Sequence, residues 1–178
     1  MLIHDKWYAI QVRPRREVFV QKTLRDKGYE VFFPSTVGKR ESTRRAARTL
    51  APVFPGYLFC RYHEEIKSRM VETAYVVRLV GFQGTPTPVD DREMSHLIRV
   101  YNQGLPMEPA QYLKEGALVR IRAGPLTGVE GVFVQRRGVS RLVLAVTLLC
   151  RALSVEVDGL DVEQVSGANG DRYMRATS

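Results

Sequence analysis

Cysteine and histidine are scarce in this chain of 178 residues, which argues against several kinds of chemical site. Cys60 and Cys150 each lie in an apolar run, and their separation fits neither a disulfide framework nor the paired spacing of a zinc site. His4, His63 and His96 are scattered, and none adjoins a serine or cysteine motif for nucleophilic catalysis. We therefore predict no metal site, no cofactor and no catalytic residue, and we expect that the protein is not an enzyme.

Long hydrophobic runs are also absent. Apolar residues make up 44% of the chain, which is enough to build packed cores. No stretch reaches the roughly 18 apolar residues that a membrane-spanning helix needs, and the first six residues do not read as a signal peptide. We expect a soluble, cytoplasmic monomer that does not bind membranes.

Acidic residues are outnumbered, and the imbalance is confined to one half of the chain. The formal net charge is +8. Residues 1–105 hold 18 Lys and Arg against 11 Asp and Glu, whereas residues 106–178 hold 9 against 8. Because attraction to phosphate acts through local basic surfaces, the first half is the part suited to face a polyanion.

The hydrophobic pattern of the first half predicts an α+β domain over residues 1–105. Strand and helix patterns alternate in the order β-α-β-β-α-β-α, at residues 7–12, 15–27, 29–33, 54–62, 64–74, 76–82 and 94–101. This order is typical of a four-stranded antiparallel sheet of split β-α-β type with helices packed against it. Residues 38–51 carry five basic side chains and one acid without an apolar stripe, which favours an exposed loop or an extended hairpin.

The second half predicts a small all-β barrel. Residues 106–113, with Pro106 and Pro109, are typical of a linker. Residues 114–166 then show short strands of period two separated by glycine-containing turns, and residues 167–178 are typical of a flexible tail. Periodicity alone leaves a helix open at Leu142–Cys150, although the β-branched residues there favour a strand.

Three local signatures occur in order along the chain and together resemble the NusG family of transcription elongation factors. The first is Trp7-Tyr8, which opens the first strand, and the second is Phe54-Pro55-Gly56-Tyr57-Leu58-Phe59. The third resembles the KOW motif and comprises Gly116, Val119, Ile121, Gly124, Pro125, Leu126, Gly128, Gly131 and Val132, followed by residues 148–152 and 155–157. The resemblance implies an NGN domain joined to an SH3-like KOW barrel. Residues 73–82 depart from the sequence of the general factor, which points to a specialised, RfaH-like paralogue.

The resemblance also implies a function and a docking surface. Such a factor binds the clamp helices of the largest RNA polymerase subunit, suppresses pausing and modulates termination. It implies that the polymerase-binding residues are Gln11, Phe54, Tyr57 and Phe59. The alternative for these rings is that the protein's own core covers them.

Further residues follow from the same resemblance. Contacts to upstream or non-template DNA are expected from Arg13, Arg15, Arg16, Lys39, Arg40, Arg44, Arg45 and Arg48. A second contact to polymerase or DNA is expected from Lys67, Ser68, Arg69 and Thr73. In the barrel, Rho or a small-subunit ribosomal protein would bind at Gly124, Pro125, Leu126, Gly128, Val129, Gly131, Leu149 and Arg151, although the apolar members also suit the barrel core.

Two other functions remain open at this point. Residues 56–62 partly resemble the RNA-binding strand of an RRM domain, in which exposed rings stack on bases. A ribosome-associated KOW protein is the other alternative, although the small net charge of the second half argues against deep burial in RNA.

Overall fold

The chain divides into two units, Met1–Asp91 and Arg92–Ser178. The structure, a computed structural model, describes residues 6–38, 49–62, 70–111, 117–136 and 138–165. The division falls at the start of a helix that the sequence assigned to the first domain, residues 1–105. No helix in these ranges is long and apolar enough to span a membrane.

The first unit is built on a four-stranded antiparallel sheet. Its elements are β1 (Lys6–Val12), α1 (Glu17–Asp26), β2 (Glu30–Phe32), β3 (Ser35–Gly38), β4 (Thr49–Pro52), β5 (Tyr57–Tyr62), β6 (Val76–Leu79), β7 (Gly81–Phe82) and β8 (Thr85–Pro86). The strand order in the main sheet is β2-β5-β1-β6, and Ala9 of β1 lies opposite Phe59 of β5. The predicted α+β class and antiparallel sheet are confirmed.

Helix α1 packs against one face of this sheet through residues one turn apart. Val20 and Leu24 are fully buried with Ile10 and Leu58 in the core, as the i, i+4 spacing of the two helical residues requires. The helix ends at Asp26 and the chain turns away at Gly28, where φ is +88° and the next amide, of Tyr29, donates to the Leu24 carbonyl at 3.0 Å. Glycine adopts this left-handed conformation without a steric penalty, so the predicted helix end is confirmed.

The basic segment at residues 38–51 is flanked by a two-stranded hairpin. Strands β3 and β4 pair from Ser35 opposite Pro52 to Gly38 opposite Thr49, so the extended hairpin is the alternative that the structure supports. Residues 39–48 lie outside the described residues. Most of the predicted helix at residues 64–74 lies outside them too, because the description resumes at Met70.

The second unit is a six-stranded antiparallel sheet together with a helix. Its elements are α2 (Asp91–Asn102), β9 (Met107–Ala110), β10 (Leu118–Ile121), β11 (Glu130–Arg136), β12 (Val139–Val146), β13 (Arg151–Glu156) and β14 (Val162–Gln164). The strand order is β14-β10-β11-β12-β13-β9. Val119 and Ile121 are buried and Arg122 is exposed, as the period-two pattern predicts. Of the segment Leu142–Cys150, residues 142–146 belong to strand β12, as predicted, whereas Thr147–Leu149 forms a short 3-10 helix.

The prediction of a linker at residues 106–113 is wrong for its central part. Met107–Ala110 forms β9, which pairs with β13 from Met107 opposite Val155 to Ala110 opposite Ala152. Met107 is 4% exposed, so burial of this side chain favours the strand. Pro109 is compatible with β9 because an edge strand tolerates a residue without a backbone N–H donor.

A buried carboxylate connects α2 to the sheet of the second unit. Glu93 is 7% exposed. It accepts hydrogen bonds from the Thr147 backbone amide at 3.1 Å and from the Thr147 hydroxyl at 2.5 Å, at the turn that follows β12. Because a buried carboxylate is costly without partners, these bonds favour the position of α2 beside the turn that follows β12.

Candidate functional site

Three four-residue turns meet at the carboxyl end of β1. Each is closed by a backbone hydrogen bond: Arg16 N to Arg13 O at 3.1 Å, Tyr57 N to Phe54 O at 3.0 Å, and Val76 N to Thr73 O at 3.0 Å. The third residue of each turn has a positive φ, which is 67° at Arg15, 80° at Gly56 and 70° at Tyr75. A type II turn has this geometry and normally takes glycine at its third position. Only one of the three turns follows that rule.

The end of β1 holds these turns together. The Val12 amide donates to the Gly56 carbonyl at 2.9 Å, and the Arg13 amide donates to the Tyr75 carbonyl at 3.0 Å. The Val12 amide points toward β5 and the Arg13 amide toward β6, and the register of β1 against β6 shifts between Gln11 and Val12, where the strand reaches these turns. The three turns therefore form one continuous surface of the first unit.

Glu17, the first residue of α1, fixes the position of the Gly56 turn. Its carboxylate is 6% exposed and accepts a hydrogen bond from the Gly56 amide at 3.0 Å. The charge also lies at the positive end of the helix dipole, where an acid is favourable. Helix α1 and the start of β5 are thereby held in a fixed relation, which sets where Tyr57 emerges.

Of the four predicted polymerase-binding residues, two are accessible. Tyr57 and Gln11 are partly exposed and adjacent, because β1 and β5 pair them directly. The Gln11 amide oxygen accepts from Arg78 Nε at 2.9 Å. These contacts place a ring, an amide and a guanidinium on one face of the sheet.

The other two predicted docking residues lie in the core. Phe54 is 1% exposed and Phe59 is fully buried, with their ring centroids 5.9 Å apart. Phe59 also lies 6.0 Å from Phe32, which in turn meets Trp7 edge to face at 6.3 Å. These rings support the strand that carries Tyr57. Because Phe59 is covered, it cannot stack on a base as the RRM alternative requires.

The predicted nucleic-acid contacts are only partly within the described residues. Arg13, Arg15 and Arg16 are exposed on the turn before α1. Lys39, Arg40, Arg44, Arg45 and Arg48 lie outside the described residues, as do Lys67, Ser68 and Arg69. Thr73 is 3% exposed, and its hydroxyl accepts a hydrogen bond from Lys27 Nζ at 2.8 Å. These contacts give the Thr73 side chain a structural role.

Sequence analysis missed two aromatic residues on the same surface. Tyr75 meets Phe19 of α1 edge to face at 5.3 Å, and the guanidinium of Arg16 lies over the Tyr75 ring at 4.7 Å. The departure of residues 73–82 from the general factor marked the segment. That departure did not show that Tyr75 and Phe19 are in contact, because they are separated by more than fifty residues and only the fold brings them together.

The predicted barrel residues divide between core and surface. Gly124 and Gly128 have φ of 78° and 84°, and a Cβ on Gly131 would lie 2.6 Å from the Val143 carbonyl oxygen. Leu126 is 5% exposed and Val129 is fully buried. Pro125 and Arg151 are exposed and Leu149 is partly exposed. The predicted partner-binding side chains that a partner could touch are therefore those of Pro125, Leu149 and Arg151.

The described residues hold no group of three or more His, Cys, Asp or Glu side chains able to bind a metal. Cys60 is buried in the core of the first unit, and burial, with a smaller contribution from the charge of Glu30, raises the pKa of its thiol to about 12. A thiol with so high a pKa stays protonated and unreactive at neutral pH. Cys60 is therefore a core residue.

Comparisons with known proteins agree with this architecture. A family model described as "Transcription termination factor nusG" matches residues 5–98, more than half of the chain. Proteins named transcription termination/antitermination protein NusG from Helicobacter pylori and Campylobacter jejuni are each 26% identical to it. These matches cover 89% and 90% of this chain and 98% and 97% of the relatives.

A solved structure titled "Domain interaction in Thermotoga maritima NusG" has the same fold. It superposes with a TM-score of 0.56 at 24% identity, covering 92% of this chain and 98% of that one. The family model spans the described sheet of the first unit, α1 and the three turns at the end of β1. The chain belongs to the NusG family.

Proposed function

We propose that this protein is a transcription elongation factor whose first unit binds the clamp helices of RNA polymerase, suppresses pausing and modulates termination. The observation that carries the proposal is the family match over residues 5–98, which includes every described element of the first unit. The names of the two relatives, transcription termination/antitermination protein, support it.

The mechanism needs no bond to be made or broken. A protein that bridges the nucleic-acid cleft binds the closed clamp more tightly than the open one, and this difference alone shifts the clamp toward the closed, elongating state. A shift from equal populations to ten to one requires a difference of about 1.4 kcal/mol in binding. A single well-packed aromatic anchor can supply a difference of this size.

The docking face in this proposal is centred on Tyr57. Its partly exposed ring is large and rigid, so it buries area at low entropic cost. Gln11 and Arg78, joined by their hydrogen bond, supply polar contacts beside it. Phe54 and Phe59 contribute indirectly, because their buried rings pack against each other on either side of Tyr57 in the chain and so fix the segment that carries it.

The DNA contacts in this proposal begin at the turn before α1. Arg13, Arg15 and Arg16 are exposed there and can neutralise phosphates of upstream or non-template DNA. Their contribution to affinity should weaken as salt rises, because each neutralised phosphate releases counterions. In this proposal the five basic residues of segment 39–48 also contact upstream or non-template DNA.

The barrel, in this proposal, recruits Rho or a small-subunit ribosomal protein. Leu149 and Pro125 offer apolar area, and Arg151 offers a charge suited to the rim of a small interface. The departure of residues 73–82 from the general factor further leads us to propose a specialised antiterminator that acts on a restricted set of operons.

The test is a pull-down of core RNA polymerase, free of nucleic acid, with the full chain and two variants. Tyr57→Ala removes the docking ring without opening the core. Phe19→Ala is the matched control, because Phe19 is an aromatic residue of the same unit and 48% exposed. We expect Tyr57→Ala to weaken binding at least about tenfold, as for an anchor worth over 1.4 kcal/mol, and Phe19→Ala to bind as the wild type does.

Phe59→Ala is not a useful docking variant, since loss of a core ring would destabilise the unit and confuse lost docking with lost stability. Binding that survives Tyr57→Ala unchanged would contradict the docking face. A wild-type chain that fails to bind polymerase at all would contradict the proposed function.

A further inference from the structure

Three side chains form a row across the sheet of the first unit. Gln11 of β1 lies opposite Tyr57 of β5 on one side and opposite Arg78 of β6 on the other. Residues that lie directly opposite one another in an antiparallel sheet project from the same face, about 5 Å apart from strand to strand. We call these residues the Gln11 row. Arg78 is exposed, and Gln11 and Tyr57 are partly exposed.

The neighbouring row on the same face is closed. Ala9 lies opposite Phe59, and the Ala9 carbonyl accepts a hydrogen bond from the Val80 amide at 2.9 Å. Ala9 and Phe59 are fully buried, and Val80 is 8% exposed. Because these residues are two positions along their strands from the Gln11 row, they share its face. A partner therefore meets this part of the face at the Gln11 row.

The guanidinium of Arg78 is oriented by a neutral side chain. Its Nε donates to the Gln11 amide oxygen at 2.9 Å. Arg78 makes no ion pair within the described part of the chain. A guanidinium carries its N–H donors in a fixed planar fork, so Gln11 sets the direction of the two terminal nitrogens. The positive charge of Arg78 is kept, because an amide does not neutralise it.

This geometry matches one kind of group on a protein partner. The two terminal nitrogens of an arginine can bind both oxygens of a carboxylate through parallel hydrogen bonds. Tyr57, at the other end of the row, is an aromatic anchor that keeps water away from neighbouring polar contacts. Two strand spacings separate Arg78 from Tyr57, so the row favours a surface with an acidic residue about 10 Å from the place where the ring docks.

We propose that Arg78 is a specificity-determining residue of the docking face and binds an aspartate or glutamate of the polymerase clamp helices through its two terminal nitrogens. The inference rests on the proposed function, which makes the clamp helices the partner. Gln11 is a positioning residue in this inference, because it acts by holding the guanidinium in place. Pre-orientation raises affinity, since less side-chain freedom is lost on binding.

The test measures the affinity of the full chain for core RNA polymerase that is free of nucleic acid. Arg78→Gln removes the charge, and Arg78→Lys keeps the charge but loses the planar fork. Arg122→Gln is the matched control, because Arg122 is an exposed arginine of the second unit that donates to the Leu160 carbonyl at 2.7 Å. We expect binding about tenfold weaker for Arg78→Gln and about threefold weaker for Arg78→Lys. Arg122→Gln should bind as the wild type does.

A substitution at Gln11 separates recognition from stability. Gln11→Glu keeps an acceptor for the Arg78 Nε and adds a carboxylate that neutralises the guanidinium. A purely structural pair would tolerate this change, and the variant would bind at least as tightly as the wild type. We expect about tenfold weaker binding instead, because the new carboxylate competes with that of the partner and repels it. Gln11→Leu removes the acceptor without adding charge and should weaken binding about threefold.

An exchange of charges identifies the carboxylate. Arg78→Glu should bind polymerase at least about a hundredfold more weakly, because two carboxylates then face each other. Core polymerases in which the acidic residues of the clamp helices are changed to lysine one at a time should restore this binding at one position. If Arg78→Glu is folded by circular dichroism and no position restores its binding, the proposal is overturned.

The remaining outcomes separate this inference from the proposed function. If Arg78→Gln binds as the wild type does while Tyr57→Ala loses binding, the inference is overturned and the docking face stands. A wild-type chain that does not bind polymerase overturns both. If Arg78→Gln weakens binding only to polymerase that carries a DNA scaffold, the anion is a phosphate and the proposal is overturned.

Discussion

The two units use their arginines differently. In the second unit, Arg120 donates to Glu130 at 2.7 Å and Arg141 pairs with Glu108, and these hydrogen bonds raise the pKa of both guanidinium groups. In the first unit, Arg13 and Arg15 have no such carboxylate within the described part of the chain. A barrel that neutralises its own charges suits a protein partner, whereas a surface with unpaired guanidinium groups suits a polyanion.

The units also differ in how they hold aromatic rings. The first unit buries Trp7, Phe32, Phe54 and Phe59 in contact with one another and leaves Tyr57, Phe19 and Tyr75 at least partly exposed. In the second unit the fully buried side chains include the aliphatic residues Leu97, Leu142 and Leu153. Rings on a rigid aromatic base are suited to act as anchors, because their position is fixed before the partner arrives.

The largest expected effect is on the aromatic core of the first unit. Phe59→Ala should lower its free energy of unfolding by about 3–5 kcal/mol, because a fully buried ring is lost and a cavity remains. Tyr57→Ala, two residues away and partly exposed, should cost less than about 1 kcal/mol. Trp7 is the only tryptophan and belongs to this unit, so its fluorescence in urea measures both variants. Equal losses would contradict the division into buried and exposed rings.

The next effect concerns the attachment of α2 to the barrel. Glu93→Ala should cost the second unit about 1–3 kcal/mol, because the Thr147 amide and hydroxyl lose their acceptor. Glu108→Ala is the matched control: its pair with Arg141 is largely exposed and should be worth less than about 1 kcal/mol. Hydrogen exchange of the barrel amides measures both. A loss confined to the first unit would show that the helix belongs there.

The turns at the end of β1 give a smaller and more discriminating effect. Gly56→Ala should destabilise the first unit by about 1–2 kcal/mol, because alanine is strained at a φ of 80°. Tyr75→Gly should change stability by less than about 1 kcal/mol, because relief of similar strain offsets the lost ring contacts. Trp7 fluorescence in urea compares the two variants. A large loss in Tyr75→Gly would mean that the ring is retained for packing.

The smallest effect distinguishes the two cysteines. Cys150 is exposed and should react with a thiol reagent at pH 8, whereas Cys60 should not react until the chain unfolds. Because the pKa of Cys60 is raised to about 12 in the folded state, its contribution to stability is complete below about pH 9 and declines as pH rises toward 12. Cys60→Ala should remove that part of the alkaline decline. Fast labelling of Cys60 in the folded protein would contradict its burial.

Much of the fold could be predicted because the signals are local. Short aromatic and branched runs located β1 and β5, and period-two alternation located β10 and β11. Gly28 marked the end of α1, since a left-handed residue is needed there. The predictions that depended on distant partners fared worse. β9 was taken for a linker because Pro106 precedes it, Pro109 lies within it, and its pairing partner lies more than forty residues away.

The candidate site was predictable only in outline. The motif from Phe54 to Phe59 identified β5 and the turn before it, but the alternation of a strand whose both faces are apolar does not say which rings are covered. The structure buries Phe54 and Phe59 and leaves Tyr57 partly exposed. Likewise, Leu126 and Val129 belong to the barrel motif and lie in the core. Residues of such a motif can serve the fold as well as an interface.

The sequence by itself determined the family, the order of the elements and the excess of positive charge in the first half. Those properties depend on residue types and short spacings, which the chain displays without folding. Only the tertiary structure decided which side chains share a surface. Arg16, Phe19 and Tyr75 are in contact because the backbone hydrogen bond from Arg13 to Tyr75 holds their two turns together at the end of β1. Exposure is a property of packing, and packing joins residues that the sequence keeps far apart.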